Sequence, residues 1–518
     1  MPTRVPGTLP KRELYFVLSA LMLGMLLAAL DATIVSTALP TIVGDLHGAN
    51  HLSWVVVAYL LASTVSTPLW GKLGDLYGRK IFFIWAIVIF LAGSMLCGFA
   101  QNMLELILFR ALQGLGGGGL MVGAQAVIAD VVPPRERGKY SGLFGAVFGA
   151  ATVLGPLLGG FIVEYWSWRW IFFVNVPFGI IALLVTAAAL PNAGERRQHV
   201  IDYAGIITLT LAASALILFT SLGGSDFAWM SWKSIALLIG GLALTVVFVV
   251  IERRSSEPVL PPSLFSNRVF SSASAIGFVV GFAMFGAMTF LPLYFQDVHG
   301  ASPTNSGLRL LPMMVGLFSA SIFTGQLVVR GWRYRPFPIA GTAVMTVGIG
   351  LLGTIGVTTS TIVTGTYMLI LGVGIGLVMQ ILVTAVQNAV NPADVGAATA
   401  GSNFFRSIGG SFGTAVFGAI FSNELPHQLV AGIKSTHYTG ALPPASQWTP
   451  TTLHALPAKA LYVIVHAISS SISHIYLLAI PVGVVAVLLS LTLPEVKLRT
   501  SLHPVADEVP LSNADPLV

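Results

Sequence analysis

The 518-residue sequence predicts an all-α integral membrane protein of fourteen spans, built as two six-helix bundles plus two inserted linker helices. Three observations carry that expectation. Only 9% of the residues are charged and 55% are hydrophobic, whereas soluble domains carry about 25% charged residues. Apolar windows long enough to cross a bilayer recur along the chain, parted by short charged or Pro/Gly loops. The 55 glycines suit membrane helices, where small residues let backbones approach closely.

In order, the windows fall near residues 15–40, 52–71, 81–100, 104–128, 140–163, 169–190, 203–222, 233–251, 270–295, 305–329, 337–358, 361–389, 397–422 and 472–493. Residues 1–14 then form an N-terminal tail without a cleavable-signal pattern. Residues 15–190 form the first bundle, 191–268 the linker holding spans seven and eight, and 269–495 the second bundle. Residues 496–518 form the C-terminal tail. The second bundle includes one long outer loop, 424–471, with a short surface helix expected around 461–466. With the N-terminus in the cytoplasm, Arg169, Lys233, Arg309, Lys434 and Lys459 fall outside, and Arg110 and Arg406 fall within the membrane. All other Lys and Arg lie inside, which places both termini in the cytoplasm.

Several classes are excluded. A single cysteine, Cys97, rules out an intrachain disulfide and a cysteine metal cluster. The net charge of +6 is scattered over loops rather than gathered in the stripe that nucleic acid requires. The ten histidines show no paired ligand spacing, so no metal site is expected. The glycine run 114–119 lies in an apolar helix and lacks the Lys-Ser/Thr that would cradle a nucleotide. No convergent nucleophile is visible, so the chain is not read as an enzyme and no cofactor is expected.

Asp31 is the most informative residue. It lies roughly 14 Å below the Pro40 end of the first span, too deep to snorkel, and a charge at the bilayer centre costs at least ~3 kcal/mol. Burial favours the neutral acid unless a cation is close, which is the property a proton-coupled carrier needs. Arg110 lies roughly 10 Å deep in the same leaflet half. A guanidinium keeps its proton in a protein, so Arg110 would tune the acid, and Gln113 shares its helical face. An internal repeat supports the two-bundle reading: GKLGDLYGRK at 71–80 and GQLVVRGWRY at 325–334 occupy corresponding loops. Aligned residue for residue, Val329 stands opposite Asp75 and Arg333 opposite Arg79. Gly71 and Gly78 permit a tight turn, and Asp75 can pair with a base or cap a helix. Span five presents Gly155, Pro156, Gly159 and Gly160 as a packing hinge.

Residues 71–80 resemble the cytoplasmic loop signature of the major facilitator superfamily. Within it, LDATIVSTALP at 30–40 resembles the first-span motif of the fourteen-span drug:proton antiporters, LFRALQGLG at 108–116 the fourth-span arginine motif, and GPLLGG at 155–160 the antiporter motif. WRWIFFVNVPFG at 168–179 resembles a further stretch common in that group. The resemblance implies a substrate site between the halves near mid-membrane. It also implies proton-coupled efflux by alternating access across a bacterial inner membrane, with Arg110 taking part in coupling. The proton gradient would be the energy source. Candidate pocket residues are Tyr59, Gln125, Met288, Phe290, Tyr294, Gln296, Met313, Met314, Gln380, Gln387, Asn403 and Phe404, which mix adaptable apolar surface with amides. With Asp31 the only clearly deep acid, monocationic or neutral lipophilic compounds are expected ahead of dications. Partners would be small amphiphiles, protons, the lipid bilayer and a periplasmic adaptor protein, with no nucleic acid. Export of one endogenous metabolite, lipid or siderophore is the alternative, and a non-transporting receptor or assembly protein is the alternative of another class.

Overall fold

Helices make up nearly all of the computed structural model, which describes residues 10–46, 52–190, 200–224, 227–440, 442–443 and 456–498. The long helices are α1 (Lys11–Asp45), α2 (Leu52–Tyr77), α3 (Arg79–Phe99), α4 (Met103–Val131), α5 (Pro134–Tyr165), α6 (Asn175–Ala189) and α7 (Tyr203–Leu222). They continue as α8 (Trp232–Glu252), α9 (Arg268–Leu293), α10 (Leu311–Val329), α11 (Pro336–Leu352), α12 (Thr361–Ala389), α13 (Val395–Thr436) and α14 (Ala458–Leu491). Among the described residues, twelve helical segments are long and apolar enough to cross a membrane. Of the two remaining long helices, α11 is only 17 residues long, and many side chains of α5 lie outside the described residues. Outward faces carry exposed apolar side chains such as Leu184, Ile239 and Val246, as lipid contact requires of a multi-pass protein.

Local chemistry explains most helix ends. Asn102 caps α4 by accepting from the Glu105 backbone N–H at 2.9 Å, and Ser360 caps α12 in the same way. Between α2 and α3 the chain turns at Gly78, φ 99°, and between α10 and α11 at Gly331, φ 98°, a conformation that favours glycine. These two turns are the true equivalents, and they correct the repeat by one residue: Val328, not Val329, stands opposite Asp75, and Arg333 stands opposite Lys80 rather than Arg79.

Two further boundaries differ from expectation. The predicted loop 424–471 is mostly helix, because α13 runs on to Thr436 and α14 begins at Ala458. Polarity ended the apolar windows there, yet Leu425, Leu429, Ile464 and Ile468 keep a helical face that packs on the second half's core. The short surface helix at 461–466 is therefore part of α14. Span six is broken at Val174, leaving a short helix at Trp170–Phe173 before α6.

The first half packs around Phe83, Phe90, Leu120 and Tyr59, and the second around Phe270, Tyr294, Met345, Ile375 and Tyr476. The halves meet where α2 packs on α13 and α5 on α10. The inserted pair α7–α8 lies over the α2–α13 seam, joined to it by Leu209, Ile217, Phe248, Val65, Phe404 and Ile408.

Candidate functional site

The deep charges form one network. Asp31 of α1 is fully buried, and Arg110 of α4 is 2% exposed. Arg110 Nη1 donates to Asp31 Oδ2 at 2.5 Å and to Gln113 Oε1 at 2.8 Å, while Gln113 Nε2 donates to Asp31 Oδ1 at 2.8 Å. Arg110 and Gln113 are three apart on one helix and so address one carboxylate together. The guanidinium lies 4.2 Å from the centre of the Tyr59 ring, a cation–π contact, and its Nε donates to the Val55 carbonyl. The break before α6 brings in Asn175, whose Nδ2 reaches Asp31 Oδ1 at 3.1 Å and Ser94 Oγ at 3.0 Å. Ser94 in turn donates to the Phe172 carbonyl at 2.9 Å. Sequence reasoning brought Asp31, Arg110 and Gln113 together and missed Asn175 and Ser94; the signal for Asn175 was a lone amide in an otherwise apolar run. Protonating Asp31 would change this enclosed network from neutral to positive and free Arg110 from its counter-charge.

A second cluster fastens the halves at the end of the bundle that holds residues 71–80. Asp75 Oδ1 accepts from the Gly396 backbone N–H at 3.0 Å and Oδ2 from that of Ala397 at 2.8 Å. These N–H groups open α13, whose own preceding residue, Asp394, makes no side-chain cap. Asp75 therefore caps a helix of the opposite half, where its charge also complements the helix dipole. Arg79 holds it at 2.8 Å and bonds Asp130 at 2.5 Å. Gly71 is required here, since a Cβ would collide with the Gly396 carbonyl and Ala400. Deeper in, Arg137 Nη1 donates to Gln387 Oε1 at 3.0 Å, Gln387 Nε2 to the Gln125 carbonyl at 3.3 Å, and Asn403 Nδ2 to Gln125 Oε1 at 2.7 Å. Three expected pocket amides, Gln125, Gln387 and Asn403, are thus committed to the clasp. Asp130 and Arg137 are members the sequence did not single out. A cavity of about 290 Å³ adjoins it, lined by Asp75, Arg79, Lys80 and Asp130.

The second turn is used differently. Val328 is buried, Arg333 is exposed, and Tyr334 Oη donates to the Pro494 carbonyl at 2.6 Å. Glu495 accepts from the Tyr334 and Arg335 backbone N–H groups at 3.3 and 3.1 Å. This turn is tied to its own half.

The remaining candidates scatter. Phe290, Met313 and Met314 are buried in the second half's core, with Met288 packed against it. Tyr294 donates to the Gly356 carbonyl at 2.7 Å and touches His299, and Gln296 donates to Ser306 Oγ at 3.0 Å. Burial, and then the Arg309 charge, hold the His299 imidazole below its usual pKa. Phe404 faces the inserted pair rather than a pocket. Gln380 is half-buried on α12. At Gly155 a Cβ would strike Thr33 of α1, and Thr33 Oγ1 donates to the Ala151 carbonyl at 2.9 Å. Gly159 is buried and Gly160 half-buried along the same helix, which continues through Pro156; that proline's side chain lies outside the described residues.

The sequence pattern described as Major Facilitator Superfamily matches residues 21–414. An uncharacterized MFS-type transporter of Mycobacterium tuberculosis is 46% identical over 499 residues, covering 96% of this chain and 72% of the relative. The multidrug transporter protein MdtP of Bacillus subtilis is 43% identical over 433 residues, covering 83% and 80%. Multidrug resistance protein 3 of the same organism is 36% identical over 493 residues, covering 94% and 96%. Among solved structures, the proton:xylose symporter XylE superposes with a TM-score of 0.58 at 17% identity, covering 93% of this chain and 96% of that one. That likeness concerns the fold alone.

Proposed function

This chain belongs to the major facilitator superfamily, and we propose that it is a proton-coupled exporter of lipophilic compounds, neutral or singly charged, working by alternating access in a bacterial inner membrane. Relatives named as multidrug transporters support the export of varied compounds. The observation that carries the coupling is the sealed Asp31–Arg110 pair. When a proton neutralises Asp31, Arg110 loses its counter-charge and the contacts that hold α1 against α4 and α6 weaken. Helix α1 is joined to α5 by Thr33 and the bare surface at Gly155, and α5 packs on α10 of the other half. A change of charge at Asp31 therefore has a packed route to the seam, where the Asp75 clasp closes one end. In this reading α5 and α11 also cross, giving fourteen spans. The basic loops place the clasp and both termini in the cytoplasm.

The glycine-rich 155–160 segment favours export over uptake, since the family motif it resembles goes with antiport. The proton gradient supplies the energy, no cofactor is needed, and a periplasmic adaptor would be an accessory. The expected advantage of monocations loses its basis, because Asp31 is fully buried and engaged at both oxygens and so has no face for a substrate. The test is gradient-dependent efflux in everted vesicles with a panel of dyes and antibiotics. Asp31→Asn should abolish it at an unchanged protein level, and full concentrative efflux by that variant would overturn the assignment. Transport confined to one compound of the panel would favour the dedicated exporter.

A further inference from the structure

Arg406 is the second arginine within the membrane, and no acidic group among the described residues pairs with it. It lies eleven residues into α13, roughly 17 Å from the start of that helix, beyond the reach of snorkelling. Among the described residues its guanidinium makes no hydrogen bond, ion pair or ring contact. The helices α7, α9, α10, α12 and α14 contain no Asp or Glu, Glu424 lies eighteen residues further along α13, and Glu252 at the end of α8 makes no ion pair with Arg406 among the described residues. The nearest acid of α2, Asp75, is held by Arg79 and the start of α13.

The location is specific. Arg406 is three residues beyond Asn403, on the same side of α13, and Asn403 makes the innermost bond of the clasp, to Gln125 of the other half. Gly281 of α9 lies against the Arg406 backbone carbonyl, which a Cβ there would strike, so α9 and α13 pack closely at this level. On α12, Gln380 lies seven residues before the clasp residue Gln387, about two turns away on a shared face and roughly 14 Å from the helix end. Its side-chain amide likewise has no partner among the described residues.

We propose that Arg406, assisted by Gln380, binds the acidic group of a lipophilic acid, so that the favoured cargo is a singly charged amphiphile ending in a carboxylate or a chemically similar anion. This rests on the export reading and names its substrate class. An uncompensated charge inside a bundle is costly, and a bound anion removes that cost, whereas a cation would add to it. The carboxylate would accept charge-assisted bonds from the guanidinium fork and one from the Gln380 amide, with the apolar body between the halves.

Binding is measured by fluorescence on the full chain in nanodiscs, without a gradient, using pyrenebutanoate, its methyl ester and pyrenebutyl-trimethylammonium, in chloride and in sulfate buffer. Arg406→Gln should weaken pyrenebutanoate binding about ten-fold or more and leave the ester unchanged, as loss of a charge-assisted contact implies. Arg406→Lys should retain part of it, and Gln380→Leu should lose about three-fold. Equal binding of the carboxylate by wild type and Arg406→Gln would overturn the proposal. So would parallel loss of carboxylate and ester, or tighter wild-type binding of the ammonium probe than of the carboxylate. Strong competition by chloride would also overturn it, making this a site for an inorganic anion. Gradient-driven efflux of the neutral ester by wild-type vesicles tests the export reading separately: if that efflux is present while Arg406→Gln leaves carboxylate binding intact, only the anion site falls.

Discussion

Two arginines lie deep in this bundle, one in each half, and they are treated in opposite ways. Arg110 is matched inside its own half by Asp31, Gln113 and the Tyr59 ring, while the Arg406 guanidinium has no polar or ring partner among the described residues. The difference separates two tasks. A paired and sealed charge can respond to a proton without meeting the cargo, and an unpaired charge at the seam is left for a ligand. The two turns of the repeat differ in the same manner, since the first reaches across to cap α13 and the second binds its own C-terminal segment.

The largest effect that would break this comparison is on stability. Arg110→Gln leaves Asp31 buried without its cation and should cost about 3–5 kcal/mol. Arg406→Gln removes an uncompensated charge and should leave the melting temperature unchanged or raise it. Thermal unfolding of both purified variants decides the matter, and equal losses would mean that Arg406 is as internally satisfied as Arg110.

The next effect concerns the turns. Asp75→Asn keeps one acceptor for the start of α13 but loses the Arg79 ion pair, which should weaken the closed clasp by about 1 kcal/mol. Turnover should fall several-fold with substrate affinity nearly unchanged, as befits a contact made in one conformational state. Tyr334→Phe, which removes the second turn's bond to the Pro494 carbonyl of its own half, should change neither. Efflux rates set beside equilibrium binding separate these outcomes, and a Tyr334→Phe defect as large as that of Asp75→Asn would show the two turns to be equivalent.

The smallest effect sharpens the first network. Asn175→Leu removes one of the bonds to Asp31 and should cost about 1–2 kcal/mol, reducing efflux a few-fold without abolishing it. Loss as complete as in Asp31→Asn would place Asn175 among the coupling residues themselves.

Much of this architecture was legible because it depends on local pattern. Hydropathy located the helices in order, and helical spacing put Gln113 on the face of Arg110. Depth along α1 and α4 made the Asp31–Arg110 meeting foreseeable. The helical ends of α13 and α14 were missed because they owe their stability to packing on the second half's core, not to the apolar run that a membrane window registers. The one-residue offset of the repeat has a similar origin, since the left-handed glycine, a property of the folded turn, marks the true correspondence.

By itself, then, the sequence determined the helical class, the order of the helices, the depth of each charge and the bare glycine surfaces, all properties of residues near one another along the chain. Tertiary structure alone decided partners. Asp75 caps a helix 321 residues away, Gln125 and Asn403 close the seam instead of lining a pocket, and Asn175 turns inward to Asp31. A polar group in a water-free interior must find its hydrogen bond with whatever neighbour the helix rotations and crossings bring within about 3 Å, and those rotations are fixed by packing across the whole molecule.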